Sequence, residues 1–550
     1  MAQLARSLAL AALLAFAGLS AAEHCLPNDG TGCWPSQAEV TKLVDSLSSE
    51  AEVLLPTGPN ADLYMSYATD TPGNSIKPSA PGLIVFPMNE GDVRKVVTFA
   101  AKYKIRLVGK CSGHDQLQRS NGYGVIQLVM TRGFRNISYN ETDHTITFGA
   151  GNAHKDTYAF LAEKKRFAVG GTWAYVCPAG CLSNGCYGFF TKEFGTGADN
   201  VVGLRFMLFN GTTLNLDATG PHRDLFWAIL GGGASSYGVL LGITAKTYPA
   251  PDTFIIMKVF LSIWPANMTA ADGAPSVFTR FLTNLTWYQT VPPHISWQLD
   301  NQPDEQRVLL QISHTGRMAA EASYAELTDL IDEWTEGGYY IAHGPEFYTD
   351  VADFAVKNSG PSPPIRRVSQ SIYVDADQEA LDKVAGLWEM LYSEDFKSRL
   401  SGLDGAFQFW AQYRYGPGSA AGKAPHVARG MRTAMMEIAH ENVWMKQADD
   451  MDRAPLSNQV KELMEPLGNS SYQNHCSSWA SYNVYEDYKT RFYQNWEGLT
   501  AVKKKYDPCN LYVVQYGPGW DLPKATCSLS TPSTKRPPPK RSPPRRHLQA

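Results

Sequence analysis

From residue 83 onward, short apolar runs alternate with amphipathic stretches. Leu83-Ile84-Val85-Phe86-Pro87 reads as a strand. In Asp92–Lys104, Val93, Val96, Val97, Ala100 and Ala101 recur at i, i+3, i+4, i+7 and i+8, which predicts a helix with one apolar face. Arg106-Leu107-Val108 is the next strand, so the three segments form a β-α-β unit. That unit delivers the loop Gly109-Lys110-Cys111-Ser112-Gly113-His114-Asp115 at a strand end, where ligands of α/β layers commonly sit. Upstream, residues 23–80 form a lead with a helix near Gln37–Leu55. Downstream come strands at Val125–Met130 and Thr145–Phe148, then a helix around Lys155–Lys164. A hairpin of Val201–Phe209 and Thr213–Leu216 turns about Asn210-Gly211, and a helix from Arg223 runs into Gly231-Gly232-Gly233.

From Thr253 the texture changes. Strand-like runs at Phe254–Ile263, Ile295–Leu299, Val308–Ser313, Val368–Val374, Ala406–Tyr413 and Met431–Ile438 alternate with amphipathic helices at Ser276–Tyr288, Ala319–Trp334 and Gln378–Tyr392. Antiparallel strands covered on one side by helices build an α+β domain, and its contact with the first domain makes a cleft for a small molecule. The expected organisation is a first domain over 23–252 with its core at about 80–250, a second over 253–465, and a segment 466–527 returning to the first. The overall class is α+β.

The ends add compartment. Met1–Ala22 has Arg6, an apolar run Leu8–Leu19 and small residues Ser20-Ala21-Ala22, the pattern of a secretory signal, too short in its apolar part to span a bilayer. Six N-x-S/T sequons follow, at Asn136, Asn140, Asn210, Asn267, Asn284 and Asn469, as expected of a secreted glycoprotein. No later stretch is long and apolar enough to span a membrane. Residues 528–550 form a basic Pro-rich tail, extended or disordered, suited to contact with acidic wall polymers. The last 20 residues carry six Lys/Arg and no acid, so with a net charge of −4 the rest of the chain stands at −10, which argues against a nucleic-acid partner. Nine cysteines in an oxidising compartment are expected to pair, Cys25 with Cys33 among them, with one left over. Cys177, Cys181 and Cys186 have no nearby histidine that completes a usual zinc spacing, so no metal is expected.

The residues of the His114 loop leave its chemistry open. Small residues allow backbone amides to approach a phosphate, and the histidine could attach to a cofactor, bind a metal, act as acid or base, or fill space. Gly170–Asn200, dense in Gly and Cys, reads either as backbone wrapped on a flat ligand or as a stapled surface loop. The triple glycine at 231–233 lacks the G-x-G-x-x-G arrangement, which excludes a nicotinamide-dinucleotide fingerprint.

Taken together, Pro81-x-x-Ile84-Val85-x-Pro87, Asp92-Val93, Ser112-Gly113-His114-Asp115, Gly195-x-Gly-Ala198-Asp199-Asn200-Val201-Val202 and Asp224-Leu225-Phe226-Trp227-Ala228 resemble the berberine-bridge-enzyme-like flavoproteins of the vanillyl-alcohol-oxidase (PCMH-type) FAD-binding fold. Tyr472-x-Asn474, Asn495, Val502-Lys503, Asp507-Pro508-x-Asn510 and Gln515 continue the likeness near the C-terminus. The resemblance implies a two-part FAD-binding domain, a substrate domain and FAD bonded through its 8α-methyl to His114. It assigns Lys110, Cys111, Ser112, Gly113, Asp115 and Ser120 to the cofactor loop. Cys177, Gly180, Gly185, Asn200, Val202, Tyr472 and Asn474 complete the implied cofactor site.

Three departures from the family pattern stand out. Ser112 replaces the first of two glycines before the histidine. The position of a second, thiol link to flavin C6 falls on Thr172 or Trp173, which leaves attachment through His114 alone, with Cys177 in reserve. The stretch 415–426, where relatives keep a glutamate base, has no carboxylate. Tyr187, His475 and Tyr413 are the candidates to take the proton. The expected activity is oxidation of an alcohol-bearing molecule (a sugar, an oligosaccharide or a secondary metabolite) by hydride transfer to the flavin, with O2 or another acceptor taking the electrons. Oxidative ring closure is the runner-up within that class. An inactive cell-wall glycoprotein that keeps the fold is the alternative.

Overall fold

The structure is a computed structural model that describes residues 34–69, 79–252, 254–269, 272–284, 291–301, 307–316, 318–335, 337–360, 365–400, 406–413, 426–476 and 487–522. The signal-like start, Cys25, Cys33 and the basic tail lie outside the described residues.

Among the described residues the first domain holds two larger sheets and a two-stranded one, Arg166–Phe167 with Tyr248–Pro249. Glu52–Leu54, Leu83–Phe86, Leu107–Lys110 and Ile126–Val129 form one, in which Ile126–Val129 lies between and parallel to Leu83–Phe86 and Leu107–Lys110. The crossover helix Glu90–Tyr103 starts where the Asn89 side chain accepts from the Asp92 amide and stops at Lys104, whose φ is 56°. Its five periodic Val and Ala residues are buried against Leu83, Val85 and Leu107, as the spacing predicts. The lead helix, expected to reach Leu55, ends at Ser46, and Glu52–Leu54 instead pairs antiparallel with Leu83–Phe86. A strand partner outcompetes helix propensity there. The second sheet is antiparallel and built around Val239–Lys246, a strand that the preceding glycine cluster hid from periodicity.

The second domain is a seven-stranded antiparallel sheet in the spatial order Tyr340–Tyr348, Phe254–Ser262, Arg307–His314, Ile295–Asn301, Ala406–Tyr413, Met436–Trp444, Arg366–Val374. Alternate residues (Val259, Leu310, Leu299, Ala411, Ile438, Ile372) join one apolar core with Leu327 of helix Ala320–Thr335 and Trp388 of helix Gln378–Leu391. The other alternates include Ser369, Gln412, Glu437 and Glu441, and these meet the first domain. Period-two alternation thus makes one face a core and the other a polar wall.

Two expectations need correction. Met431 belongs to the short helix Gly430–Thr433, and the strand begins only at Met436. Helix Ser276–Tyr288 is observed as Val277–Leu282, with residues 285–290 outside the described set. Among the described residues no helix is long and apolar enough to cross a membrane. Near the C-terminus, the Leu107 amide donates to the Leu511 carbonyl at 3.1 Å, so the final segment abuts the strand that carries the His114 loop.

Candidate functional site

The loop after Leu107–Lys110 opens onto a cavity of about 590 Å3 at the join of the two domains. Gly109, Gly113, Gly171, Gly180, Gly232, Gly233 and Gly238 line it, so much of its wall is bare backbone. Cationic groups of the wall come from Arg119 and Arg367. Volume, glycine cradle and cations fit an elongated phosphate-bearing cofactor such as FAD.

Within the loop the residues divide their work. Lys110 gives the cavity only its backbone side. Its Nζ is buried and donates to the Tyr67 carbonyl at 2.9 Å and Asn121 Oδ1 at 3.2 Å, and burial pushes its pKa down to about 7. Gly113 takes φ 78°, a turn that positions the next residue. His114 Nδ1 lies 2.8 Å from Ser112 Oγ, so the serine that replaces the family glycine holds the imidazole. Burial, helped by Arg367, pushes the His114 pKa down to about 4, leaving a neutral ring at ordinary pH. Asp115 pairs with the buried Arg119, accepting from its amide at 2.7 Å and from Nε at 3.0 Å. Arg119 in turn reaches Gln473 and Asn474, tying the loop to the C-terminal part of the site.

The structure places the sequence candidates in three groups. Cys111, Ser112, Gly113, His114, Asp115, Ser120, Cys177, Gly180, Tyr472 and Asn474 all line the cavity. Gly185, Asn200 and Val202 sit behind its wall. Gly185 packs on Met431, and Asn200 is occupied by Phe194 O, Thr196 O and the Tyr248 hydroxyl. Cys177, the reserve for a thiol link, is joined to Cys111, so its sulfur has no thiol to offer, and Cys181 is joined to Cys186. Tyr413 pairs with Trp297 on the sheet, but its side chain and residues 414–425 lie outside the described set.

Tyr187 and His475 meet at the cavity edge, with Tyr187 Oη 3.1 Å from Nε2 and 3.3 Å from Nδ1. A carboxylate outside the stretch 415–426, Glu437, stands beside them. It is fully buried, with Oε1 3.0 Å from His475 Nδ1. Gln412, directly opposite Glu437 in the sheet register, brings Nε2 to 2.6 Å from both Glu437 Oε2 and Tyr187 Oη. On the same strand face, Glu441 Oε1 accepts from Gln116 Nε2 at 2.7 Å. The readable signal for the two glutamates was their i, i+4 spacing in a strand that also carries His440 and Asn442.

The FAD binding domain family matches residues 81–217. The chain is 29% identical over 278 residues to FAD-linked oxidoreductase apf9 of Gibberella fujikuroi, covering 42% of this chain and 47% of that protein. It is 25% identical over 488 residues to VAO-type flavoprotein oxidase VAO615 of Thermothelomyces thermophilus, covering 80% of this chain and 77% of the relative. Against Berberine bridge enzyme-like 21 of Arabidopsis thaliana the identity is 32%, over 34% of this chain and 35% of that one. The chain is thus similar to berberine-bridge-enzyme-like and VAO-type flavoproteins, with an FAD binding domain at residues 81–217.

Solved structures agree on the fold. Physcomitrella patens BBE-like 1 superposes with a TM-score of 0.71 at 20% identity, covering 87% of this chain and 98% of that one. A chitooligosaccharide oxidase gives 0.69 at 17% identity, with 84% and 97% covered. Phl p 4.0202, a glucose dehydrogenase, gives 0.69 at 16% identity, with 88% and 99% covered. The chain therefore has the fold of these flavoproteins, an FAD binding domain of PCMH type joined to an α+β second domain.

Proposed function

We propose that this berberine-bridge-enzyme-like protein is secreted and oxidises a carbohydrate alcohol, with FAD bonded to His114 and O2 as the returning acceptor. The observation that carries the reading is the cluster Tyr187, His475, Glu437 and Gln412 at the edge of the cofactor cavity. It supplies what alcohol oxidation asks of the protein, a seat for the hydroxyl proton. When bound, FAD supplies the two-electron acceptor for the hydride. His114 is kept neutral and oriented by Ser112, as an attaching nitrogen must be.

The polar wall favours a hydroxyl-rich substrate. Gln298, opposite Gln412 in register, and Gln311 both donate to Asp300, at 2.6 Å each, extending amide and carboxylate groups along the sheet. Two structural neighbours are named for sugars, the chitooligosaccharide oxidase and the glucose dehydrogenase. Secretion is supported by the disulfides Cys111–Cys177 and Cys181–Cys186, and by exposure of all six sequon asparagines.

The test uses protein secreted from a eukaryotic host, mixed anaerobically with mono- and oligosaccharides while flavin absorbance is followed. Bleaching by a sugar, then H2O2 release on admitting air, is the expected result. Flavin that stays oxidised with every sugar overturns the carbohydrate reading, and folded protein without flavin favours the inactive glycoprotein.

A further inference from the structure

We infer that Asn136 carries an N-glycan whose first two sugars lie in a groove on the outer face of the second sheet of the first domain. This rests on the secretory reading above and goes beyond it, since a sequon alone says only that attachment is allowed.

The groove is a second cavity, of about 640 Å3, and it shares no lining residue with the cofactor cavity. That volume lies in the range of pockets that take small ligands. Its walls follow from the sheet register. Ile146, Phe148, Leu204, Phe206 and Ile243 turn into the core, so their neighbours along each strand turn outward. Thr147 stands opposite Thr244, Thr244 opposite Gly203, and Arg205 opposite Asn215. The two threonine hydroxyls lie 2.8 Å apart. Arg205 closes one end, with Nη2 donating to Glu90 Oε2 at 2.8 Å and Nη1 to Asn215 Oδ1 at 3.0 Å. Gly203 and Gly242 also line the groove, and glycines inside strands leave room for a group to approach the backbone. Hydroxyls, an amide and an ion pair beside bare backbone suit a sugar, which offers hydroxyls at its edge and C–H groups on its face.

Asn136 stands at the rim. Its carbonyl accepts from the Gly149 amide at 2.9 Å, which fixes it as the residue entering the edge strand Ile137–Asn140. Ile137 and Tyr139 pack on the core and Ser138 is opposite Thr147, so alternation turns both Ser138 and Asn136 to the groove side. Asn136 is exposed and lines the groove, so it is open to modification and next to a seat for what is attached. None of the other five sequon asparagines lines this groove. Asn140 engages its own turn, accepting from the Thr142 and Asp143 amides at 2.9 and 3.2 Å. Asn210 likewise accepts from the Thr212 amide at 3.0 Å. Glycans on those two turns extend into solvent.

Attachment joins Asn136 Nδ2 to C1 of the first N-acetylglucosamine of a lipid-diphosphate donor. The lipid diphosphate leaves, and the amide gives up one proton. The seated sugars cover Thr147 and Thr244 and reach Glu90, the first residue of the crossover helix that precedes the strand of the His114 loop. The glycan thereby braces that helix against the second sheet.

The experiment expresses the full chain, with its own residues 1–22, in a eukaryotic host that makes mannose-type glycans. Occupancy is read by peptide mass spectrometry. An endoglycosidase that cuts between the first two sugars is then applied to native and to unfolded protein. Asn140→Gln serves as the background, because it removes the neighbouring sequon. There Asn136 is occupied and cut about tenfold more slowly than Asn210 in native protein, and equally fast after unfolding. Gly203→Tyr fills the groove and abolishes the difference; its Cβ meets Thr244 at an ordinary 3.5 Å. Ser138→Ala, which removes the glycan but keeps Asn136, lowers Tm by about 3 °C, while Asn210→Gln leaves it unchanged.

An unoccupied Asn136 beside an occupied Asn210 overturns the seat, as does native cleavage at Asn136 as fast as at Asn210. Protection that survives Gly203→Tyr also overturns it, because the shielding then comes from elsewhere. Thr147→Arg, a longer side chain on the same face, replaces Gly203→Tyr should that variant not be secreted. Protein held in the cytosol with every sequon unoccupied sinks the secretory reading and the seat with it, whereas secreted protein with Asn136 alone unoccupied sinks only the seat.

Discussion

Cys111 and Cys177 are joined across 66 residues of chain, and both line the cofactor cavity. The bond ties the His114 loop to the Gly- and Cys-rich segment that carries Tyr187, so one covalent link spans the cofactor site. Closing a loop of that size removes chain entropy worth about 4 kcal/mol from the unfolded state. The double variant Cys111→Ser/Cys177→Ser is expected to lose about 2–4 kcal/mol in denaturant unfolding. Its flavin incorporation, read as flavin absorbance in the acid pellet, should be lower than in wild type.

The same disulfide bears on how the cofactor is attached. With the Cys177 sulfur occupied, His114 is the remaining attachment point among the residues that the sequence nominated. Acid precipitation should leave flavin in the wild-type pellet and none in the His114→Ala pellet. Flavin retained in both would mean a thiol link and a reduced Cys177. Ser112→Gly, which removes the hydroxyl 2.8 Å from Nδ1, should slow attachment about tenfold, in line with a lost hydrogen bond of about 1.4 kcal/mol.

The His114 loop was legible because its flanking strands and helix follow simple periodicity, and Tyr187, His475, Tyr472 and Asn474 came with the family pattern. Glu437 and Gln412 were not. Their partnership depends on the register between Ala406–Tyr413 and Met436–Trp444, and a shift of one residue would turn both side chains into the helix-covered core. The sequence start of that strand at Met431 was such an error, since Gly430–Thr433 turns as a helix first. Asn200 shows the opposite failure. Its motif is intact, yet its amide is spent on Phe194, Thr196 and Tyr248, behind the cavity wall. Disulfide connectivity was hidden because spacing cannot choose among partners 66 residues apart.

Stability should fall on mild acidification. Burial pushes the pKa of His154 down to about 3, with His114 adding to the effect, and burial alone pushes His440 down to about 3. An unfolded chain binds a proton at each near pH 6.5 while the folded one does not. Stability from these rings is complete above about pH 6.5 and drains as pH falls toward 3. At about 1.4 kcal/mol per pKa unit the two together are worth several kcal/mol. The Tm measured by calorimetry should drop steeply between pH 6.5 and 4. The double variant His154→Phe/His440→Leu should flatten that slope.

Lys503 and Asp507 form a fully buried pair on the last long helix, 2.6 Å apart. The Lys503 ammonium also donates to the Ser236 carbonyl at 2.7 Å and the Tyr512 carbonyl at 2.6 Å. Ser236 belongs to the turn that lines the cofactor cavity, so this one cation braces the cavity wall against the returning C-terminal segment. Asp507 keeps the Leu511 and Tyr512 amides when Lys503 is removed, but its charge loses its counter-ion. Lys503→Met should therefore cost about 3–5 kcal/mol in chemical unfolding, the scale for breaking a buried pair. Because Ser236 loses its anchor as well, the variant should also incorporate flavin more slowly. Lys503→Met/Asp507→Leu removes both charges but strips the Leu511 and Tyr512 amides of their acceptor, so it should recover only part of the unfolding free energy and none of the flavin incorporation.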